Sequence, residues 1–133
     1  MQKLDEFTQA YIEAALWASF DDSETPIEEN YGVEDFAPEA LTAIIGECAD
    51  FQNDNAEALE IACEQDWYSM ARAGHDFWLT RNGHGAGFWD RCNDPVFTDT
   101  LSNAACAYGT CDLYVSDDGT LSVTWVSGSS RSG

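Results

Sequence analysis

The stretch GHDFWLTRNGHGAGFWDR, residues 74–91, is the most distinctive part of the chain, and the rest of the fold is organised around it. It holds both histidines and two of the five basic residues: His75, His84, Arg81 and Arg91. It also holds four of the aromatic residues: Phe77, Trp78, Phe88 and Trp89. Such a concentration of large and ionisable side chains indicates either the centre of the core or a site of chemistry.

Two secondary structures compete for this stretch. Helical spacing of Met70, Gly74, Phe77, Trp78 and Arg81 favours a helix between Trp67 and Asn82, with Gly74 as its candidate start. Asn82-Gly83 would then be a left-handed stop. In the alternative, the strand FWLTR turns at Asn82-Gly83 into the strand AGFWD, as a β-hairpin. We favour the helix.

The residues before this stretch predict two more helices. Apolar residues recur at steps of three and four over residues 4–19. A polar link follows over residues 20–37, and four apolar side chains are its candidate anchors: Ile27, Tyr31, Val33 and Phe36. Pro38 suits the first turn of a second helix. That helix either runs unbroken through Asn53-Asp54-Asn55 or breaks there and a new one is capped.

The residues after the stretch predict a helix and a hairpin. Asp94-Pro95 is a helix start, and Gly109 ends that helix. Asp117-Asp118-Gly119 is a turn signal between strands over residues 112–116 and 121–126. We therefore predict one α+β domain over residues 1–126, with N-terminal helices followed by a C-terminal helix and β-hairpin. Residues 127–133 are interpreted as a disordered tail or a cloning remnant.

The net charge of −20 limits the kinds of partner this chain binds. Of its 25 acidic residues, 18 precede residue 72, where Lys3 is the only base. An anionic surface repels nucleic acid and anionic membranes, and it attracts basic protein surfaces. We therefore expect no direct binding of nucleic acid and no membrane association. A merely solubilising surface is the competing interpretation.

The five cysteines and the N-terminus indicate a cytoplasmic protein. No Cys-x-x-Cys pair occurs, and the odd number favours reduced thiols. Charged residues follow Met1-Gln2-Lys3, in place of the apolar run of a signal peptide. We also find no apolar run of transmembrane length.

An enzyme or ligand-binding domain is the alternative function, with a pocket formed by His75, Arg81, His84 and Arg91. His84 would be a general base, since the ordinary pKa of histidine suits proton transfer. The glycine-rich loop at residues 83–87 can cradle a phosphate. Zinc would need His75, His84, Cys92 and a second cysteine, at spacings that match no usual motif. We therefore predict no catalytic residue, no metal and no cofactor.

Residues 74–91 resemble a segment of small acidic phage and prophage proteins of unassigned function. The likeness extends to FTQAYIEAALWASFDDS, ENYGVEDFAPEAL and AYGTCDLYVSDDG, and so covers most of the chain. Cys92-Asn93-Asp94 departs from it, because a glycine-rich continuation is expected there. The resemblance implies a setting inside a bacterial host cell, and it transfers no activity to individual residues.

Charge segregation and this resemblance together lead to a functional prediction. We expect an acidic phage-type inhibitor that imitates the charge of DNA and occupies the basic surface of a host nucleic-acid-binding protein. Carboxylates at helical spacing and in the link would provide that charge. A homodimer formed through the aromatic surface is a third possibility. The predicted partner-binding acids are Asp21, Asp22, Glu24, Glu28, Glu29, Glu47, Asp50, Asp54, Glu57 and Glu64.

Overall fold

The computed structural model describes residues 4–21, 23–82, 88 and 95–126, the side chains of 96–98, 125 and 126 excepted. The helices within this part are α1 (Glu6–Ala18), α2 (Pro38–Asp54), α3 (Ala56–Ala62), α4 (Met70–Arg81) and α5 (Ser102–Cys106). The strands β1 (Thr110–Val115) and β2 (Leu121–Val126) form an antiparallel hairpin. The predicted α+β fold, with helices first and a helix and hairpin last, is confirmed. The predicted tail, 127–133, lies outside the described residues.

An aromatic core lies between α1, α2 and α4. The Phe51 ring of α2 stacks on the Phe77 ring of α4, with centroids 4.2 Å apart. Tyr11 of α1 meets Trp78 edge to face at 5.5 Å. All four side chains are at most 3% exposed. Two of the aromatic residues that distinguish residues 74–91 are therefore core residues.

The preferred helix over the central stretch is confirmed as α4 and ends before Asn82, but its predicted start is wrong. Ser69 is the N-cap, and its hydroxyl accepts a hydrogen bond from the Arg72 N–H at 3.3 Å. The prediction that Gly74 opens the helix is wrong, because Gly74 lies inside α4 against the backbone of Phe7. Asn82 has φ −99°, so it is not a left-handed stop. Gly83, like the strand AGFWD except for Phe88, lies outside the described residues.

The link between α1 and α2 is anchored by its apolar side chains. It contains two 3₁₀ turns, Ile27–Glu29 and Val33–Asp35. Ile27 and Phe36 are buried, and Tyr31 and Val33 pack against the core while partly exposed. The Ala37 N–H then donates to the Leu121 carbonyl at 2.9 Å, which ties the link to the hairpin. The predicted anchoring is confirmed.

The helix boundary that the sequence leaves open, at residues 53–55, is accompanied by a local hydrogen bond. The second helix breaks at Asn55, whose side-chain amide donates to the Phe51 carbonyl of α2 at 3.0 Å. Asn55 makes no side-chain cap on α3.

The helix predicted after Asp94-Pro95 begins as a π-helix, Val96–Leu101, and continues as α5. Asp94 lies outside the described residues. Gly109 follows with φ +77°, a conformation that suits glycine.

The hairpin forms where the sequence predicts it, with a shift of its first strand. β1 begins at Thr110, two residues earlier than predicted, because Thr110 and Cys111 already pair with the end of β2. The Asn82 side-chain oxygen accepts from the Cys111 N–H at 2.8 Å. Gly119 has φ +86° and its N–H donates to the Ser116 carbonyl at 2.9 Å. Ser116 therefore belongs to the turn.

Candidate functional site

The candidate site is the acidic face of α2, defined here by Asp50 and Asp54 and continued by Glu57 in the first turn of α3. All three residues are exposed. Asp50 and Asp54 are four residues apart, about 6 Å along the axis of α2, so their carboxylates share one face. Glu57 follows the break at Asn55, so helical spacing does not place it on that face. Like charges at this spacing disfavour the helix by a few tenths of a kcal/mol per pair. The core residues on the opposite side, including Phe51, hold the helix despite that cost.

Tyr108 shows that these carboxylates converge in space. The pKa of its hydroxyl is raised to about 12, first by burial and then by the negative charges of Asp54, Asp50 and Glu47, while Arg81 acts in the opposite direction. Glu47, Asp50 and Asp54, which belong to successive turns of α2, therefore all act on the Tyr108 hydroxyl just after α5. The acidic face of α2 is a region of concentrated negative potential, and Tyr108 lies beside it.

Glu47 belongs to the same helix but has a different role. Its carboxylate accepts a hydrogen bond from Arg81 at 2.5 Å and forms an ion pair with it. The Arg81 side chain is 0% exposed and that of Glu47 is 24% exposed. Glu47 is therefore largely neutralised within the protein, whereas Asp50 and Asp54 face solvent.

Arg81 connects four parts of the fold. Its Nε–H donates to the Gly109 carbonyl at 2.8 Å, and its terminal nitrogens donate to the Tyr108 carbonyl at 3.0 Å and the Tyr11 hydroxyl at 3.1 Å. Burial acts to lower the pKa of Arg81, but Tyr11 and Glu47 raise it more, so the net shift is upward. With Glu47 bound as well, most of its five N–H donors are used inside the protein.

Of the four residues of the predicted alternative pocket, the structure describes His75 and Arg81. Arg81 is occupied as above, and the ring of His75 lies against Trp17 with centroids 5.9 Å apart. His84 and Arg91 lie outside the described residues. Within residues 4–21, 23–82, 88 and 95–126, no three His, Cys, Asp or Glu side chains are grouped to hold a metal ion.

The buried Cys48 and Cys111 and the partly buried Cys63 have the properties of structural thiols. Burial raises the pKa of Cys48 and Cys63, and it raises the pKa of Cys111 to about 11. These thiols are therefore protonated at neutral pH, and a protonated thiol is a poor nucleophile. Cys92, which the zinc alternative requires, lies outside the described residues.

The predicted acids of the link form a group separate from α2. Asp21 closes a local turn, since its carboxylate accepts from the Ser23 and Thr25 N–H groups at 2.8 and 3.1 Å. The turn Ile27–Glu29 packs against α1. Asp22 lies outside the described residues. The remaining predicted acids are exposed: Glu24, Glu28, Glu29 and Glu64.

Sequence reasoning missed Tyr108 as part of the site and missed a cleft beside β1. Tyr108 falls within the helix that the sequence predicts between Asp94-Pro95 and Gly109, and no local signal places it beside the acids of α2. The cleft joins Phe20, Trp78 and Leu113. These residues are far apart in the sequence, so only the folded chain brings them together.

Comparisons with known proteins do not assign the chain to a family. It matches no protein-family model, no curated protein and no solved structure. None of the described helices is long and apolar enough to cross a membrane. The resemblance of residues 74–91 to small acidic phage proteins stays a prediction.

Proposed function

We propose that this chain is a phage-type inhibitor that binds the basic, nucleic-acid-binding surface of a host protein inside a bacterial cell. The observation that supports the proposal best is the pair of exposed carboxylates of Asp50 and Asp54 on one face of α2, followed by the exposed Glu57 at the start of α3. It indicates a dense anionic field on a rigid helix, which is what a surface built to hold phosphates would attract.

The exposed acids resemble DNA in how many negative charges they place per unit length. They do not reproduce the exact positions of the phosphates. Each DNA strand carries one negative charge per ~3.4 Å of axis. Carboxylates three or four residues apart on a helix lie about 4.5–6 Å apart along its axis. A basic groove would therefore meet a comparable row of charge, and long-range attraction would speed its association.

Few nearby cations oppose this field. The Lys and Arg residues of the described chain are Arg72 and Arg81. Arg81 is buried and paired with Glu47, and Arg72 is exposed in the first half of α4. The acidic face of α2 is therefore available to a cation supplied by another protein.

Release of proteins from DNA is the test. Bacterial lysate is bound to a duplex-DNA resin at low salt, and the purified chain is then added. We expect it to release a small set of proteins, with an efficiency that falls steeply as salt rises, because screening weakens attraction between exposed charges. A triple variant, Asp50→Asn, Asp54→Asn and Glu57→Gln, should lose most of this release.

The matched control removes the same number of charges elsewhere. Glu13, Glu34 and Asp117 are exposed and lie outside α2 and α3, so the variant Glu13→Gln, Glu34→Gln and Asp117→Asn has the same net charge as the first. It should release proteins nearly as well as the unchanged chain. Equal loss in both variants would assign the effect to total charge, and no release by the unchanged chain would overturn the proposal.

A further inference from the structure

The outer edge of β1 offers backbone groups for pairing. The Cys111 N–H is bound by Asn82, on the side away from β2, and the Ser116 N–H pairs across the hairpin with the Thr120 carbonyl at 2.7 Å. Because backbone groups alternate in direction along a strand, the N–H and C=O groups of Leu113 and Val115 also point away from β2. Neither residue makes a backbone hydrogen bond on that side within the described chain.

The opposite edge of the hairpin is already in use. The Leu121 carbonyl of β2 accepts from the Ala37 N–H, and Phe36 forms a bridge with Leu121. Exposed strand edges are normally covered, charged or kept short. Within residues 4–21, 23–82, 88 and 95–126 the two edges therefore differ, because the outer edge of β1 beyond Cys111 makes no backbone hydrogen bond there and can receive an added strand.

A cleft runs along this open edge. Its volume is about 340 Å³, and the C-terminal end of α1, the C-terminal end of α4 and β1 form its walls. Phe20, on its rim, is 58% exposed, and Leu113 on its inner wall is buried. The lining residues are Ala18, Ser19, Phe20, Trp78, Asn82, Thr110, Cys111, Asp112 and Leu113.

Trp78 supplies a second, independent observation. It lines this cleft, yet it is 3% exposed, and its indole N–H has no hydrogen-bond acceptor within the described chain. A buried donor without an acceptor is uncommon in folded proteins. Trp78 therefore combines a wall of the cleft with a buried donor that the described chain leaves without an acceptor.

We propose that β1 receives an extended peptide of a partner protein as a third strand, with alternate apolar side chains in the cleft and basic side chains on the opposite face. The Leu113 and Val115 backbone groups would pair with the peptide backbone. Side chains alternate between the two faces of a strand. Residues of the peptide that face the cleft would meet Phe20 and Trp78. Their neighbours would lie on the other face of the sheet, where the exposed side chain of Asp112 alternates with the buried Cys111 and Leu113.

Charge and composition favour a basic partner peptide over a second copy of this chain and over the tail 127–133. A second copy would bring a net charge of −20 against another −20, which opposes pairing of two β1 edges. The tail 127–133 contains only serine, glycine and arginine, so it has no apolar side chain for the cleft. A basic extended segment matches both Asp112 and the apolar wall. The site does not involve the acidic face of α2, and it stands without the proposed inhibitory function.

The test uses the peptide KVKLKVK as the probe, with the full chain. Its control has the same side chains and N-methyl groups on all internal backbone nitrogens, so charge is retained while strand pairing is blocked. We expect the methylated peptide to bind at least about tenfold more weakly, the effect of losing one or more backbone hydrogen bonds. We also expect the Trp78 indole resonance, assigned with Trp78→Phe, to move when KVKLKVK binds.

Two proline variants locate the peptide on one edge. Val115→Pro removes an outward N–H of β1, and Val123→Pro removes an outward N–H of β2, while both leave the hydrogen-bonded pairs of the hairpin in place. Val115→Pro should weaken binding about tenfold, and Val123→Pro should not. Equal binding by both variants, or by both peptides, would place the peptide elsewhere on the acidic surface and overturn the proposal.

If Val115→Pro fails to fold, amide hydrogen exchange of the protein without substitutions tests the same proposal. Peptide binding should slow exchange of the Leu113 and Val115 amides, because each gains an acceptor. Unchanged exchange of both amides at saturating peptide would refute the proposal.

Discussion

Replacing Gly74 by Ala tests how closely α1 and α4 approach each other. A Cβ at this position would lie 2.0 Å from the carbonyl oxygen of Phe7 and 2.8 Å from its carbonyl carbon. Ordinary contacts of a Cβ begin near 3.4 Å, so the two backbones would have to separate by more than an ångström. That movement would disturb the rings of Phe7 and Tyr11, which lie 5.9 and 5.2 Å from the ring of Phe77.

The expected magnitude follows from two opposing effects. Alanine favours a helix interior over glycine by about 1 kcal/mol. Overpacking a core costs about 1–3 kcal/mol, and this clash is at the upper end because it involves backbone. We therefore expect Gly74→Ala to lower the free energy of unfolding by about 2 kcal/mol or more. Gly46→Ala is the matched control, since Gly46 is inside α2 with nothing within 4 Å of its Cβ position. It should stabilise the protein by up to about 1 kcal/mol.

Urea unfolding, followed by tryptophan fluorescence, measures both variants. With a slope of about 2 kcal/mol per molar urea, the midpoint of Gly74→Ala should fall by about 1 M and that of Gly46→Ala should rise. The slope itself should stay unchanged if only the native packing differs. A midpoint for Gly74→Ala at or above that of the unchanged chain would refute the close approach of Phe7 and Gly74.

Two further predictions concern the candidate site. Arg81→Lys keeps the charge beside Glu47 but loses the fork that reaches the Gly109 and Tyr108 carbonyls, so urea unfolding should show a loss of about 2–3 kcal/mol. A loss below about 0.5 kcal/mol, typical of surface sites, would contradict a structural role. Tyr108 has a pKa of about 12 when folded, above its ordinary value, so its stabilising effect is present below about pH 10 and is lost as pH rises through 12. Neutralising its acidic neighbours with Asp50→Asn and Asp54→Asn should lower this pKa in a phenolate absorbance titration, with Tyr108→Phe identifying the signal, and an unchanged pKa would contradict the convergence of these acids.

Much of the fold is predictable from the sequence because its signals are local. Apolar spacing of three and four residues places α1 and most of α2, and Pro38 begins α2 as expected. The turn around Gly119 places the hairpin. These signals depend on backbone geometry within a few residues, so they need no knowledge of distant contacts. The charge segregation is likewise a property of composition, and the prediction of an anionic surface follows from it directly.

The central stretch shows what local signals leave open. FWLTR suits a helix and a strand about equally, and burial of Phe77 and Trp78 against Tyr11 and Phe51 in the tertiary structure accompanies the helical form. Gly74 and Gly46 look alike in sequence, but only Gly74 meets another backbone.

Tertiary structure alone also decides which of the charged residues can act on a partner. Glu47 and Asp50 are one turn apart on α2 and are chemically equivalent in sequence. The folded chain brings Arg81 to Glu47 and leaves Asp50 in solvent. Residues 74–91 are thus central to the fold through Arg81 and its aromatic residues, while the candidate interaction surfaces lie on α2 and along β1. The physical reason is that ion pairs, strand edges and clefts join residues from different elements, and no sequence period records such contacts.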